Sequence, residues 1–531
     1  MEASARLWPD REALVSIAQS IRWSYAEFSE RVGRVASALS MLGLVKGDRL
    51  GIWSPNCAEW TVTQFATAKI GVILVTINPA YQTEELIFTL NKVRVKVLVT
   101  ASGFKDTDYL EILASLAPDI LDGANRTEST GSLPYLKKIV QINGNIRKNA
   151  VRFQDLYEGG SIVIVENISN NDAVNIQFTS GTTGFPKGTV LSHRNILNNG
   201  YFVGLSMGLK AGDRLCIPVP LYHCFGMVMG NLACVGHGAT MVYPCAGFDP
   251  LAVLNAVQNE RCTGLLGVPT MFMSVLEHPD FNGFDLTSLR GGIMAGSLCP
   301  TTTMRGVIDR MNMREVTIAY GMTETSPVSF QSQVEDDIDL RVETVGRIQP
   351  HLEVKLLNPE GDVVPVGKPG EICTRGYSVM KGYWEDEAAT RDAVDPGGWM
   401  HTGDLASIDE QGYCRIVGRL KDVVIRGGEN IYPREIEEFL ESHPKIEEVH
   451  VVGLPDPRFG EELCAWIRLG EAKSMTSEEV VTYCRKRIAR YKAPRYIRFV
   501  DRFPMTVTGK IKKFEIRAAM LIAMNFKNNA H

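Results

Sequence analysis

The sequence predicts an α/β protein in which a large N-terminal region of several packed subdomains is followed by a smaller α+β domain. Three observations carry this. Strand-like apolar runs alternate with amphipathic helical stretches through the first 330 residues, the pattern of parallel strands joined by crossover helices. The charge balance changes sign near Gly418: residues 419–531 hold 21 Lys+Arg against 16 Asp+Glu, net +5, while the remainder is net −10. A chain of 531 residues also exceeds what one hydrophobic core organises. The predicted domains are therefore 1–418 and 419–531.

Ser24–Gly43 has helical spacing and ends on a glycine stop, and Arg49–Trp53 then reads as a short apolar strand. Trp60–Ile70 is helical and Val72–Ile77 strand-like. Polar, turn-rich Asp122–Pro134 is a surface loop. In the basic domain Arg434–Ser442 reads as a helix and Val449–Val452 as a strand. Thr476–Ile488 reads as a helix that opens with a capping box, Thr476 and Glu479. Leu215–Phe248 holds no Asp, Glu, Lys or Arg over 34 residues. A membrane span needs about 20 consecutive apolar residues, and Pro218, Pro220, Gly226, Gly230, Asn231, Gly236 and Pro244 interrupt this one. It reads as buried strands, turns and a helix, or the lining of an apolar pocket. No transmembrane segment is expected.

Composition excludes other classes. With 45% hydrophobic and 22% charged residues, a disordered, collagen-like or coiled-coil chain is ruled out. A net charge of −5 gives no case for nucleic acid. The basic run Arg485–Arg517 gives none either, since few aromatics, among them Tyr491, Tyr496 and Phe499, interleave with its basic residues as a stacking platform. Eleven cysteines, no two within four positions, point to reduced, buried thiols. Met1–Val15 carries Glu2, Asp10 and Glu12 without an apolar core, so neither a secretory signal nor a mitochondrial presequence is visible.

The strongest chemical signal is Thr179-Ser180-Gly181-Thr182-Thr183-Gly184-Phe185-Pro186-Lys187-Gly188. Its glycines let the backbone approach a ligand, and four hydroxyls and a lysine add donors suited to a polyphosphate. A Walker loop needs GxxxxGK[ST] running into a helix. Here Pro186 precedes Lys187, and the loop lies between strand-like Val174–Phe178 and Thr189–Leu191. A helix starts only at Ser192–Asn195, which argues against a Walker nucleotidase. Taken alone, the loop could also be a plain Gly/Thr turn.

It does not stand alone. Ala319-Tyr320-Gly321-Met322-Thr323-Glu324-Thr325, Thr402-Gly403-Asp404, Gly418-Arg419-Leu420-Lys421-Asp422 and Pro504-Met505-Thr506-Val507-Thr508-Gly509-Lys510 follow in order. Together these motifs resemble the adenylate-forming superfamily of acyl-CoA synthetases, 4-coumarate ligases, luciferases and adenylation domains, from about Pro9 to Phe526. Finer matches resemble the animal medium-chain acyl-CoA synthetases. They are Asn175-Ile176-Gln177-Phe178, Pro220-Leu221-Tyr222-His223-Cys224 and Ile425-Arg426-Gly427-Gly428-Glu429-Asn430-Ile431-Tyr432-Pro433.

The resemblance implies a fold with a mobile C-terminal domain and a two-step reaction. A fatty acid carboxylate attacks the α-phosphate of ATP to give acyl-AMP and pyrophosphate, and CoA then displaces AMP. Implied roles are Lys510 and Thr323 at the reacting α-phosphate and Glu324 as ligand to Mg²⁺. Asp404 and Arg419 fall at the ribose, and Gly296, Ser297 and Tyr320 at the adenine. His223 falls at an aromatic gate to the acyl pocket, and Lys421 at the hinge. Read from composition, Met227, Met229, Met271, Met273, Met294 and Met322 suit the lining of a flexible acyl tunnel, and core packing accounts for each of them equally well when taken singly. The basic run then faces ATP and the phosphates of CoA, a +5 cap closing with a −10 body over a polyanion. An aromatic-acid CoA ligase, a luciferase-like relative and a non-catalytic acyl-AMP sensor are the alternatives. A mitochondrial matrix location follows from the resemblance, with the cytoplasm as alternative.

Overall fold

Local capping sets where the helices start. Ser24 accepts from the Glu27 backbone N–H while Glu27 returns the bond, opening the helix Tyr25–Met41. Ser192 and Asn195 do the same for His193–Ser206, and Thr476 and Glu479 for Ser477–Arg485. The computed structural model describes residues 1–123, 132–158, 160, 167–179, 186–297, 299–426, 429–470, 473–485, 487–505 and 511–528. Most of the predicted loop Asp122–Pro134 therefore lies outside the described residues. Internal contacts divide the chain into Met1–Glu353 with Thr374–Met400, and Val354–Cys373 with His401–His531. Packing thus groups 354–373 and 401–418 with the basic C-terminal part.

The first unit is built on two mixed sheets. Among the described residues one has nine strands, with Thr240–Tyr243, Arg214–Cys216, Gly264–Gly267, Gly291–Ala295 and Glu315–Gly321 in its parallel centre. The other has eight strands around parallel Val97–Thr100, Arg49–Trp53, Ile73–Ile77 and Ala173–Thr179. Strands covered on both faces read as continuous apolar runs, and all five residues of Ile73–Ile77 are buried. Leu50 and Ile52 of one sheet share a core with Leu14, Leu215 and Ile293 of the other. Ile73, Val75 and Ile77 face a separate cluster with Leu86 and Leu113, and Val242, Leu265 and Val316 a third.

The charge-free stretch folds as short buried elements. Arg214–Cys216 and Thr240–Tyr243 are neighbouring parallel strands, and Phe225–Leu232 is a wide π-helical turn with all eight residues buried. Among the described residues no helix is long and apolar enough to cross a membrane. All eleven cysteines are free, and only Cys245 is not fully buried.

The second unit holds most of a sheet that, among the described residues, has four strands in the order Leu352–Leu357, Gly370–Gly376, Met400–Ile408, Cys414–Arg419. A further sheet is centred on the long antiparallel pair Ile446–Asp456 and Gly460–Leu469, with Tyr496–Phe499 parallel to the latter. Val449 and Val451 face a core with Ile436, Leu440 and Val480; Val452 and Leu454 face Phe503, Ile516 and Met520. Helices therefore cover both faces of that sheet. The predicted strand Val449–Val452 is extended at both ends, and the helix expected over Thr476–Ile488 runs over Ser477–Arg485.

Candidate active site

In open α/β sheets ligands lie beyond the carboxyl ends of the strands. Gly291–Ala295 and Glu315–Gly321 run parallel with Ala295 opposite Ala319. Gly296 and Ser297 follow the end of the first strand and Tyr320 is the penultimate residue of the second, so the expected adenine residues lie at the carboxyl ends of neighbouring strands. Gly296 has φ +96°, and Tyr320 keeps its ring 6.1 Å from Phe330.

Just after Tyr320 the chain turns tightly. The Met322 N–H donates to the Pro327 carbonyl at 2.9 Å, and the Thr325 hydroxyl donates to the same oxygen at 2.7 Å. Gly321 makes this possible, because a Cβ there would sit 1.8 Å from that oxygen. The turn presents Thr323 and Glu324, both buried. Glu324 Oε1 accepts from the Thr179 hydroxyl at 3.2 Å and from the Tyr383 hydroxyl at 3.0 Å. Among the described side chains none donates to Oε2, which keeps it available to a cation.

Thr179 and Lys187 face each other across antiparallel Ala173–Thr179 and Lys187–Ser192. Lys187 thus begins a strand, whereas the lysine of a Walker loop leads into a helix. Ser180, Gly181, Thr182, Thr183, Gly184 and Phe185 lie outside the described residues, as does Lys510. Pro186 is partly exposed, and Lys187 places its Nζ 4.9 Å from the Tyr383 ring centroid. Tyr383 arrives from the far side of the chain because Gly382–Tyr383 pairs with Thr189 and Val190. Burial raises its phenol above the ordinary tyrosine range and the Glu324 carboxylate raises it further, so it stays a hydrogen-bond donor at neutral pH.

The turn carrying His223 is set by buried amides. Asn56 Nδ2 donates to the Val219 carbonyl at 2.9 Å and its Oδ1 accepts from the Leu221 N–H at 2.8 Å. Gln177 Oε1 accepts from the Cys224 N–H at 3.1 Å, and its Nε2 donates to Asn175 Oδ1 at 2.9 Å. His223 Nδ1 accepts from the Phe225 N–H at 3.2 Å, which leaves the ring proton on Nε2. Burial pushes the Cys224 thiol up to about 12; Thr323 opposes the rise and Glu324 adds to it. A thiol held neutral in this way is no nucleophile.

The six methionines do not form one lining. Met227 and Met229 are buried in the core shared by the two sheets, with Met271 and Met322 packed against it. Met294 points to the opposite face of its strand, into a different cluster, because successive strand residues alternate.

Asp404 and Arg419, expected at the ribose, belong to the second unit and oppose each other on adjacent strands. Arg419 Nε lies 2.8 Å from Asp404 Oδ1; Asp404 is buried while Arg419 is 62% exposed. Lys421 is exposed in the short turn Leu420–Asp422 that follows.

Sequence reasoning missed Tyr383, 59 residues beyond Glu324 and joined to it only through strand pairing. Gln177 had no role in the sequence reading; two amides, Asn175 and Gln177, alternating within one buried strand were the available signal.

A model of AMP-binding enzymes matches residues 1–384, and the model of their C-terminal domain matches residues 435–510. YngI of Bacillus subtilis (strain 168), named provisionally as an acyl-CoA synthetase, is 47% identical over 100% of this chain and 98% of its own length. The medium-chain acyl-CoA ligase ACSF2, mitochondrial, of Danio rerio is 46% identical over 97% of this chain and 87% of its own. Among solved structures, the anthranilate CoA ligase AuaEII in complex with anthranoyl-AMP superposes with a TM-score of 0.87 at 26% identity, covering 99% of this chain and 97% of that one. With an adenylate-forming fold and relatives matched along its whole length, the chain belongs to the AMP-binding enzyme family and is an AMP-forming acid–thiol ligase.

Proposed function

We propose that the protein activates medium-chain fatty acids. A carboxylate oxygen of the acid attacks the α-phosphorus of ATP, the bond to pyrophosphate breaks, and acyl-AMP forms. The CoA thiol then adds to the acyl carbonyl and AMP leaves. The observation that carries the reading is Glu324, a buried carboxylate fixed by Thr179 and Tyr383 just beyond the carboxyl end of the strand Glu315–Gly321. The neutral Cys224 thiol supports direct transfer rather than an acyl-cysteine route.

Adenylation depends on positioning and charge neutralisation. Lys187 and the hydroxyls of Thr179, Ser180, Thr182 and Thr183 hold the phosphates, with Gly181, Gly184, Phe185 and Pro186 shaping the loop. Thr323 donates to the α-phosphate, and Lys510 neutralises charge where carboxylate and phosphate meet. Gly296, Ser297 and Tyr320 take the adenine, Asp404 with Arg419 the ribose hydroxyls, and His223 gates the acyl pocket. The donor set fits Mg²⁺: an oxygen-only site needs one or two protein carboxylates beside phosphate, and Glu324 offers Oε2. Bound there, the ion would supply charge neutralisation to the phosphate oxygens. Lys421 serves as the hinge on which residues 419–531 exchange between the two half-reactions. Names of the animal relatives support a mitochondrial location, and the Bacillus relative the cytoplasmic alternative.

The test is ATP- and CoA-dependent AMP release across saturated acids of increasing length, with cinnamate and anthranilate included. The rate peaks at medium chains if the reading holds. A maximum at the aromatic acids would replace it with the aromatic-acid ligase.

A further inference from the structure

Away from the Glu324 site, three side chains with metal-binding atoms meet in the second unit. Glu371 and Cys373 lie two apart on Gly370–Gly376 and so share a face, and His401 lies on the neighbouring strand Met400–Ile408. His401 Nδ1 is 3.0 Å from Glu371 Oε2 and 3.5 Å from Cys373 Sγ, and the three ligand atoms all lie within 4.8 Å of one another. We propose that Glu371, Cys373 and His401 form a binding site for one borderline-soft divalent cation of the zinc class, separate from the phosphate-bound magnesium.

The spacing supports it. Bonds of about 2.3 Å to sulfur and about 2.05 Å to nitrogen at a tetrahedral angle set these donors about 3.5 Å apart. Two bonds of about 2.05 Å set nitrogen and oxygen about 3.3 Å apart, which the observed pair meets by opening slightly. The carboxylate is already oriented, because its other oxygen, Oε1, accepts from the Gly403 N–H at 3.1 Å, and only Oε2 faces the cluster. The two strands are tied beside it by the Thr402 hydroxyl, which donates to the Ile372 carbonyl at 2.9 Å. Cys373 is fully buried, whereas the side chains of Glu371 and His401 keep 19% and 31% exposure. A cation therefore has an open side for a water as fourth ligand. Binding expels one proton from the thiol and one from the imidazole if it is charged. A thiolate and an imidazole select a borderline ion over hard Mg²⁺.

Co²⁺ is the probe, titrated into the reduced, full-length, nucleotide-free protein while the absorption spectrum is followed. The expected result is one equivalent bound, with a thiolate-to-cobalt charge-transfer band and intense tetrahedral d–d bands, displaced by Zn²⁺ and unaffected by millimolar Mg²⁺. Cys373→Ser abolishes the charge-transfer band, and Glu371→Gln, which keeps an acceptor for Gly403, weakens Co²⁺ binding by about tenfold or more. Cys373→Ala serves where the serine variant does not fold. Absence of the band in the wild-type protein, or its persistence in either Cys373 variant, overturns the site and leaves a hydrogen-bonded trio.

Discussion

Replacing Gly321 by alanine places a Cβ 1.8 Å from the Pro327 carbonyl oxygen, 2.8 Å from its carbonyl carbon and 3.0 Å from the Val328 Cα. All three neighbours are backbone, so no side-chain rotation relieves the clash; the chain must shift by more than 1 Å to reach ordinary contact near 3.4 Å. The shift falls on the turn whose Met322 N–H and Thr325 hydroxyl share the Pro327 carbonyl, which also presents Thr323 and Glu324. Overpacking in a well-packed region costs about 1–3 kcal/mol, and fixed backbone on both sides places this case at the upper end. Misplacing a reacting group by about 1 Å costs on the order of 10²-fold in rate. Gly321→Ala is therefore expected to lower the urea midpoint by the equivalent of about 3 kcal/mol and fatty-acid-dependent ATP–pyrophosphate exchange by about 10²-fold. Gly283, whose Cβ would meet nothing within 4 Å, is the control and should be near neutral as alanine. A Gly321→Ala enzyme with wild-type melting and exchange would refute the tight-turn origin of the Glu324 geometry.

Burial pushes the Glu441 carboxyl up to about 8, Glu437, Glu448 and Glu438 adding to the rise while the Val449 N–H opposes it. The folded state then binds a proton that the unfolded chain releases near pH 4.5, so stability falls as pH rises from about 4.5 to about 8. Glu441→Gln should raise the melting temperature at pH 8.5 and much less at pH 5, by up to a few kcal/mol of difference; equal shifts at both pH values would contradict this. Gln177→Leu strands the buried Cys224 N–H and the Asn175 amide oxygen. It should cost about 1–3 kcal/mol and raise KM for the acid more than KM for ATP, whereas an unchanged acid KM would separate Gln177 from the acyl side. Lys421→Pro should spare adenylation and stall thioester formation in half-reaction assays; unchanged overall turnover would sink the hinge.

Local chemistry was the legible part of the fold. Thr476 and Glu479 announce their helix because a capping box is written within four residues, and the apolar run at Val72–Ile77 is a strand buried on both faces. The motifs drew attention to Glu324 and Asp404, and the structure buries both, with Glu324 beside Thr179 and Asp404 beside Arg419. Sheet order was not legible. Tyr383 reaches Glu324 only because Gly382–Tyr383 joins the edge strand Lys187–Ser192, a pairing with no local signature. Met294 was grouped with Met227 by composition, and only strand parity separates them. Glu371, Cys373 and His401 escaped notice for the same reason: their spacing matches no metal motif until two strands bring them together.

The central claim is that a carboxylate is activated as an adenylate before CoA takes part. A single-turnover reaction of enzyme, a medium-chain acid, ATP and Mg²⁺ without CoA tests it most directly, with products resolved by chromatography. The expected result is one equivalent each of enzyme-bound acyl-AMP and pyrophosphate, converted to acyl-CoA and AMP when CoA is added. Formation of ADP and phosphate, or no adenylate until CoA is present, would contradict it.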